Sequence, residues 1–165
     1  MLYAFSVKIA AALTLFFCFF SSPAHAIHNG SLGIDGGLGG YSSNGWPLTA
    51  YGISLAAKGE RHGELAVGYT VNQITSSTGS DTLQQFELDL RYRLYERFGF
   101  YIGLPVNYFS SSNEMIIPSG VNLGAQLGYD FDMTDRTSVG IHVQDTFLRN
   151  YFVGLITFKL WAPRE

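Results

Sequence analysis

The sequence has one cysteine, few charges and no long apolar run beyond its first 20 residues. Cys18 lies in the N-terminal apolar segment, so the rest of the chain forms neither a disulfide nor a thiol site. No later run approaches the roughly 18 apolar residues that a spanning helix needs. The four histidines lack metal-site spacing, and no phosphate-binding loop is present. These missing motifs give no reason to expect a metal or a cofactor, and a formal net charge of −3 gives none to expect nucleic acid as a partner.

The N-terminal segment has the pattern of a secretory signal peptide. Lys8 precedes an apolar run over residues 9–20, and Ala24 and Ala26 supply the small residues of an A-x-A cleavage site. The run is too short to span a membrane comfortably, and it ends in residues that break a helix. We therefore expect residues 1–26 to be a cleaved signal peptide and residues 27–165 to form one domain.

The remaining chain alternates between apolar and polar residues with the period of a β-strand. In residues 85–94 the even positions, from Phe86 to Leu94, are apolar, and four of the odd positions are charged. Successive side chains of a strand point to opposite faces, so one face is apolar and the other is charged. Segments of this kind cover about residues 32–41, 48–58, 64–74, 85–94, 98–109, 121–133, 138–147 and 151–161.

The connections between these segments also alternate in length and composition. Tight, charged links follow the second, fourth and sixth segments, at residues 59–63, 96–97 and 134–137. Longer links, rich in serine, glycine and asparagine, follow the first, third and fifth, at residues 42–45, 75–81 and 110–120. The last link, near residues 148–150, is the exception, because it is short although it lies on the same side as the longer links. With the N-terminus inside, this asymmetry is typical of an outer-membrane barrel.

The polar face favours a membrane barrel over a soluble sheet. A membrane barrel places its apolar face against lipid and its polar face inside. Glycines on the polar face leave room there for long charged side chains, because eight strands enclose little space. The expected interior polar network consists of Glu64, Glu87, Asp89, Arg91, Arg93, Asp130 and Lys159. The alternative is a soluble periplasmic lipocalin-like binding barrel, with the apolar face inside and the polar face in water. The many glycines would then lie on the solvent-exposed face, where they would weaken the sheet.

Aromatic residues collect near the segment ends, as the interfacial girdles of a membrane barrel require. Those expected near one rim are Trp46, Tyr69, Tyr108, Phe147 and Tyr151. Those expected near the other rim are Tyr92, Phe98, Phe131 and Trp161. The girdles support the barrel; the alternative explanation is that aromatics favour strands in general.

Residues 27–165 as a whole resemble the small eight-stranded outer-membrane proteins of the OmpX, OmpA-transmembrane and opacity-protein-like group. The last segment, Gly154 to Trp161, resembles the terminal signal of such barrels, although four residues follow it. Pro105 also departs from the pattern, and we expect a bulge there. The resemblance implies an all-β, eight-stranded antiparallel up-and-down transmembrane β-barrel, exported by a Sec-type route to the outer membrane of a Gram-negative bacterium. Its implied partners are outer-membrane lipid, lipopolysaccharide and the barrel-assembly machinery.

The chain offers little material for catalysis. A lipid-A-modifying barrel needs a serine, a histidine and an acid together near the outer leaflet. The candidates are His142, Gln144 and Asp145 with the serines at 110–112, and the alternation points His142 inward and Asp145 toward lipid. We therefore expect no enzyme and no catalytic, cofactor or metal residues.

The expected role is envelope-structural or an adhesion-like surface interaction through the external loops. Met115, Ile116 and Ile117 in the longest loop contact an unknown surface partner, fold over the mouth of the barrel as a plug, or extend the strands.

Overall fold

The alternating segments form one closed antiparallel barrel. The structure, a computed structural model, describes residues 29–41, 45–59, 62–76, 79–94, 99–112, 119–134, 136–147 and 151–162. The strands are β1 (Asn29–Tyr41), β2 (Trp46–Lys58), β3 (Gly63–Ser76), β4 (Gly79–Arg93), β5 (Gly99–Ser111), β6 (Gly120–Thr134), β7 (Thr137–Thr146) and β8 (Tyr151–Trp161). Each strand pairs with the next, and β1 pairs with β8. The predicted eight-stranded up-and-down barrel is confirmed. The predicted signal peptide lies outside the described residues and stays a prediction.

No helix in these ranges is long and apolar enough to cross a membrane. The barrel has two distinct ends. The loop end carries the connections 42–45, 77–78, 112–119 and 147–150, and the terminal end carries the other three connections and both ends of the sheet. The expected long loop over residues 75–81 is wrong, because β3 and β4 continue to Ser76 and Gly79 and pair there. Gly79 has a φ of 144°, which glycine adopts without strain at this reversal. At the loop end, only residues 112–119 form a connection longer than every connection at the terminal end.

The outer face of the barrel is an apolar band. Exposed side chains on this face include Leu32, Ile53, Val67, Leu88, Ile102, Leu127, Ile141 and Ile156. Toward the loop end the outward residues become polar, as at Thr49, Gln73, Gln84 and Asp145. With a rise of about 3.4 Å per residue and a tilt of about 40°, the stretch from Phe86 to Leu94 rises roughly 21 Å along the barrel axis. That height approaches the roughly 25 Å band of transmembrane barrels.

Pro105 does not produce the bulge that the sequence suggested. Pairing between β5 and β6 stops at Gly103 with Gln126 and resumes at Val106 with Leu123 in the same register. The ladder therefore passes Pro105, which lacks an N–H, by leaving a short gap in its hydrogen bonds. The register shift lies instead between Asp132 and Thr134, where β6 meets β7 at the terminal end.

The lipid face predicts a depth-dependent response to charge. Leu88 is 44 % exposed near the middle of the apolar band, and Gln84 lies on the same face of β4 at the polar boundary. Leu88→Arg should destabilise the folded barrel in vesicles by about 2–4 kcal/mol and Gln84→Arg by about 0–1 kcal/mol. Urea unfolding in lipid vesicles measures both. Equal losses at the two positions would contradict a lipid-facing band.

Candidate functional site

The interior near the terminal end holds a cluster of buried ion pairs. The Glu64 carboxylate accepts hydrogen bonds from Arg91 Nη1 at 3.1 Å and Arg93 Nη2 at 2.6 Å. Arg93 Nη2 also donates to Asp130 Oδ2 at 2.6 Å, and Lys159 Nζ lies 2.9 Å from both Asp130 oxygens. These contacts join β3, β4, β6 and β8 across the lumen. The charges offset one another in a space from which water is largely excluded.

Two further predicted residues extend this cluster toward the middle of the barrel. Asp89 accepts from Arg91 Nε at 2.5 Å, while Glu87 lies 3.9 Å from Arg91 Nη2 and accepts from Gln85 at 3.2 Å. Gly103 leaves space for the Asp89 side chain, because a Cβ there would lie 2.7 Å from Asp89 Oδ1. The structure thus places all seven predicted network residues on the inner face and connects them through ion pairs or hydrogen bonds.

Tyr101 is a member of the charged cluster that the alternation pattern did not single out. Its side chain is fully buried at the centre of the lumen. The cationic groups of Arg91, Arg93 and Lys159 lie 5.1, 5.5 and 5.5 Å from its ring centroid. A ring face attracts cations, so Tyr101 supports three side chains that would otherwise repel one another. Its inward direction follows from strand parity alone.

A layer of side-chain amides lies above the charged cluster, toward the loop end. Gln85 Nε2 donates to Asn107 Oδ1 at 2.8 Å, and Gln144 Nε2 reaches the same oxygen at 3.1 Å. Asn72 Nδ2 donates to Gln85 Oε1 at 3.3 Å. We call these four residues the amide layer. All of them are buried, and their hydrogen bonds cross from β3 and β4 to β5 and β7.

The loop end of the interior is apolar, which the sequence pattern did not predict. The buried residues that close this end, here called the apolar plug, are Leu48, Ala50, Ile74, Leu83, Phe109, Tyr151, Val153 and Leu155. Phe109 and Tyr151 pack edge to face with ring centroids 5.3 Å apart. The sequence carries one signal for the apolar plug, which is a break in the alternation. Where two consecutive residues are apolar, as at Tyr108 and Phe109, one side chain points outward and the other points into the barrel.

Three aromatics expected at the rims turn inward instead. Tyr151 is 1 % exposed, and its hydroxyl lies 2.8 Å from Asn72 Oδ1 and 2.9 Å from Gln85 Oε1. Trp46 packs against the apolar plug, and the Trp161 indole donates to Ser138 Oγ at 2.8 Å. An inward position gives the Tyr151 hydroxyl and the Trp161 indole N–H hydrogen-bond partners within the protein, whereas the hydrocarbon of the lipid offers none.

A row of aromatic side chains lies on the outer face, at the position expected for an interfacial girdle. Tyr69, Phe86 and Tyr108 lie side by side across β3, β4 and β5, with successive ring centroids 4.9 and 6.5 Å apart. Phe86 and Tyr108 are about half exposed. The row lies just inside the polar boundary at Gln84, where interfacial aromatics are expected.

The candidate catalytic residues do not come together. His142 is buried in the lumen, where its Nδ1 lies 3.4 Å from Thr157 Oγ1, and Thr157 donates to Asp35 at 2.5 Å. Asp145 lies on the outer face, paired with Ala125 and Phe152. Because the sheet lies between the inner and outer faces, the His142 ring and the Asp145 carboxylate cannot contact the same substrate.

The serines of the loop end lie in a separate cluster. Ser111 and Ser112 donate to the Asp81 carboxylate at the rim. Within the described ranges, no three histidine, cysteine, aspartate or glutamate side chains are placed to hold a metal ion. Met115, Ile116 and Ile117, the residues of the possible surface-interaction loop, lie outside the described residues.

Comparison with known proteins gives similarity of fold. No family model and no curated protein sequence matches the chain. The barrel is similar to the crystal structure of Neisserial surface protein A, with a TM-score of 0.59 and 13% identity over 85% of this chain and 99% of that one. It is also similar to a de novo designed transmembrane β-barrel, with a TM-score of 0.54 and 10% identity over 85% of this chain and 100% of that one. These similarities confirm the fold of a small eight-stranded outer-membrane barrel.

Proposed function

We propose that this chain is a non-catalytic outer-membrane barrel that passes no solutes and presents its loop end outside the cell, in an envelope-structural or surface-interaction role. The observation that carries the proposal is the filled interior. The charged cluster, the amide layer and the apolar plug follow one another along the lumen. An eight-stranded barrel filled by side chains in this way is a rigid body rather than a channel.

The asymmetry between the two ends supports the orientation. The connection over residues 112–119 is the longest and lies at the loop end, whereas both ends of the sheet lie at the terminal end. Outer-membrane barrels have longer connections on the extracellular side and short turns on the periplasmic side. The loop end, with Met115, Ile116 and Ile117 in its longest connection, is therefore the surface that we assign to an external partner.

The orientation can be tested with introduced cysteines, since the chain has no cysteine beyond residues 1–26. Asn113→Cys places a thiol in the 112–119 connection, and Arg136→Cys places one in the exposed turn between β6 and β7. A maleimide that does not cross the outer membrane should label Asn113→Cys on intact cells and Arg136→Cys only after lysis. The reverse pattern would overturn the orientation.

Fractionation and gel mobility test the barrel itself. The protein should be recovered with the outer membrane, and unheated and boiled samples should migrate differently because a closed barrel resists detergent until heated. Recovery in the soluble periplasm would overturn membrane insertion and favour a soluble binding barrel.

The proposal of a non-catalytic barrel with a closed interior leads to two further expectations. Expression should leave the mass of lipid A unchanged, because His142 and Asp145 lie on opposite faces. Planar bilayers containing the purified barrel should show no steady conductance. A change in lipid A mass would overturn the non-catalytic role, and a steady conductance would overturn the closed interior.

A further inference from the structure

A groove marks the outer surface of the barrel at its terminal end. It is shallow and open, has a volume of about 600 Å³ and lies where β1, β2 and β8 meet. Leu32, Leu55 and Leu160 line it, and each is about half exposed on the apolar band. Arg136 and Ala162 border it on the side away from the band. The groove is thus continuous with the lipid-facing surface and ends at a cation.

The groove owes its depth to a missing side chain. Leu55, Leu32 and Leu160 form a row across β2, β1 and β8, and Gly30, opposite Ala57, lies next to this row on the side of the terminal end. Gly30 has the same strand parity as Leu32, so its side-chain position also faces outward. A Cβ at Gly30 would have only the Ala56 carbonyl oxygen near it, at 3.8 Å. The Gly30 carbonyl accepts a hydrogen bond from the Ala162 N–H at 2.8 Å, which holds the chain beyond β8 at the groove. A larger residue at Gly30 would fill the space without distorting the sheet.

Hydrogen bonds fix the backbone of Arg136 beside this space. The N–H groups of Arg136 and Thr137 donate to Thr134 Oγ1 at 3.2 and 3.1 Å, which stabilises the turn. The Arg136 carbonyl accepts from the Trp161 N–H at 2.8 Å, which ties the turn to the end of β8. The Arg136 side chain is exposed, and none of the ion pairs between described residues involves it. An exposed guanidinium on a residue that lines an apolar groove is suited to a phosphate attached to an acyl chain.

We propose that the groove binds one anionic glycerophospholipid of the periplasmic leaflet. An acyl chain lies against Leu32, Leu55 and Leu160 over Gly30, and the headgroup phosphate contacts Arg136. The leaflet assignment rests on the proposed orientation, which puts the terminal end at the periplasmic side. The occupant is a lipid rather than a protein because the groove extends the apolar band toward the terminal end of the barrel. There it meets the positive charge of Arg136, at the level of the lipid headgroups.

Native mass spectrometry of the refolded barrel in detergent, titrated with phosphatidylglycerol, tests the site. The unmodified barrel should retain one lipid at concentrations where further lipids dissociate. Arg136→Gln should weaken this binding about tenfold, because it removes a charge-assisted hydrogen bond, and Arg136→Lys should restore part of it. Gly30→Leu should abolish the single retained lipid.

Gly36→Leu is the matched control for Gly30→Leu. Gly36 faces outward on the same strand, and a Cβ there has no atom within 4 Å, so the substitution adds the same side chain away from the groove. It should leave lipid retention unchanged. Equal retention by Gly30→Leu and the unmodified barrel would overturn the site, as would retention that does not depend on Arg136. A dimer that Gly30→Leu dissolves would also overturn it, by assigning the groove to a second copy.

These outcomes are separable from failure of the proposed function. Every variant must first show the heat-dependent change in gel mobility, which reports the closed barrel without reference to the groove. Cysteine labelling on intact cells reports the orientation, and lipid retention in detergent does not depend on it. A reversed labelling pattern with normal retention would therefore overturn the leaflet and leave the lipid site in place.

Discussion

Asp130→Asn is expected to lower the free energy of unfolding by about 3–5 kcal/mol. Asp130 is 4 % exposed and accepts hydrogen bonds from Arg93 and Lys159. Asparagine keeps the shape of the side chain but removes its negative charge. Lys159 then has no ion-pair partner among the described residues, and Arg93 keeps only Glu64. The loss is large because a charge left unpaired in a dry interior costs far more than an intact pair contributes.

Asp132→Asn provides the control for this prediction. Asp132 lies two residues along β6 from Asp130 and is exposed at the terminal end, so the same chemical change should alter stability by less than about 0.5 kcal/mol. Urea titration of both variants in vesicles, followed by tryptophan fluorescence and gel mobility, gives the two values. Similar losses at the two positions would mean that the charged cluster is hydrated and contributes little.

The sequence was sufficient to predict which charged residues lie inside but not how they pair. Strand parity places Glu64, Arg93 and Asp130 on the inner face once the apolar face is assigned to lipid. The pair of Glu64 with Arg91 follows from register, because the two residues are opposite each other on β3 and β4. The contact of Arg93 with Asp130 joins strands that are not neighbours. It depends on the width of the closed barrel, and alternation carries no information on that width.

Alternation over whole segments does not predict the apolar plug. Near the loop end several strands carry apolar residues on both faces, as at Phe109 beside Tyr108 and at Val153 beside Phe152. Each outward residue fits the lipid band, and alternation by itself gives no information on its apolar inward neighbour. The predicted loop over residues 75–81 is wrong for a related reason. The polar composition of these residues indicates a loop, but outside the lipid band a strand can carry polar residues on both faces.

Phe109→Ala is expected to be the most damaging change in the apolar plug, with a loss of about 3–5 kcal/mol. Phe109 is 1 % exposed and packs against Tyr151. Truncation leaves a cavity that the rigid strands on either side cannot close. The amide layer and the charged cluster remain below it, so the variant should still conduct no ions in planar bilayers.

Phe86→Ala removes the same side chain from the opposite face and distinguishes a packed plug from general loss of aromatic area. Phe86 is 48 % exposed and contacts Tyr69 and Tyr108 in the outer row. Lipid chains fill the space that truncation leaves, so the loss should be limited to the ring contacts, about 0.5–1.5 kcal/mol. Unfolding of both variants in the same vesicles provides the comparison. If Phe86→Ala were as damaging as Phe109→Ala, the two faces would be packed alike, and the loop end would be closed by something other than its interior side chains.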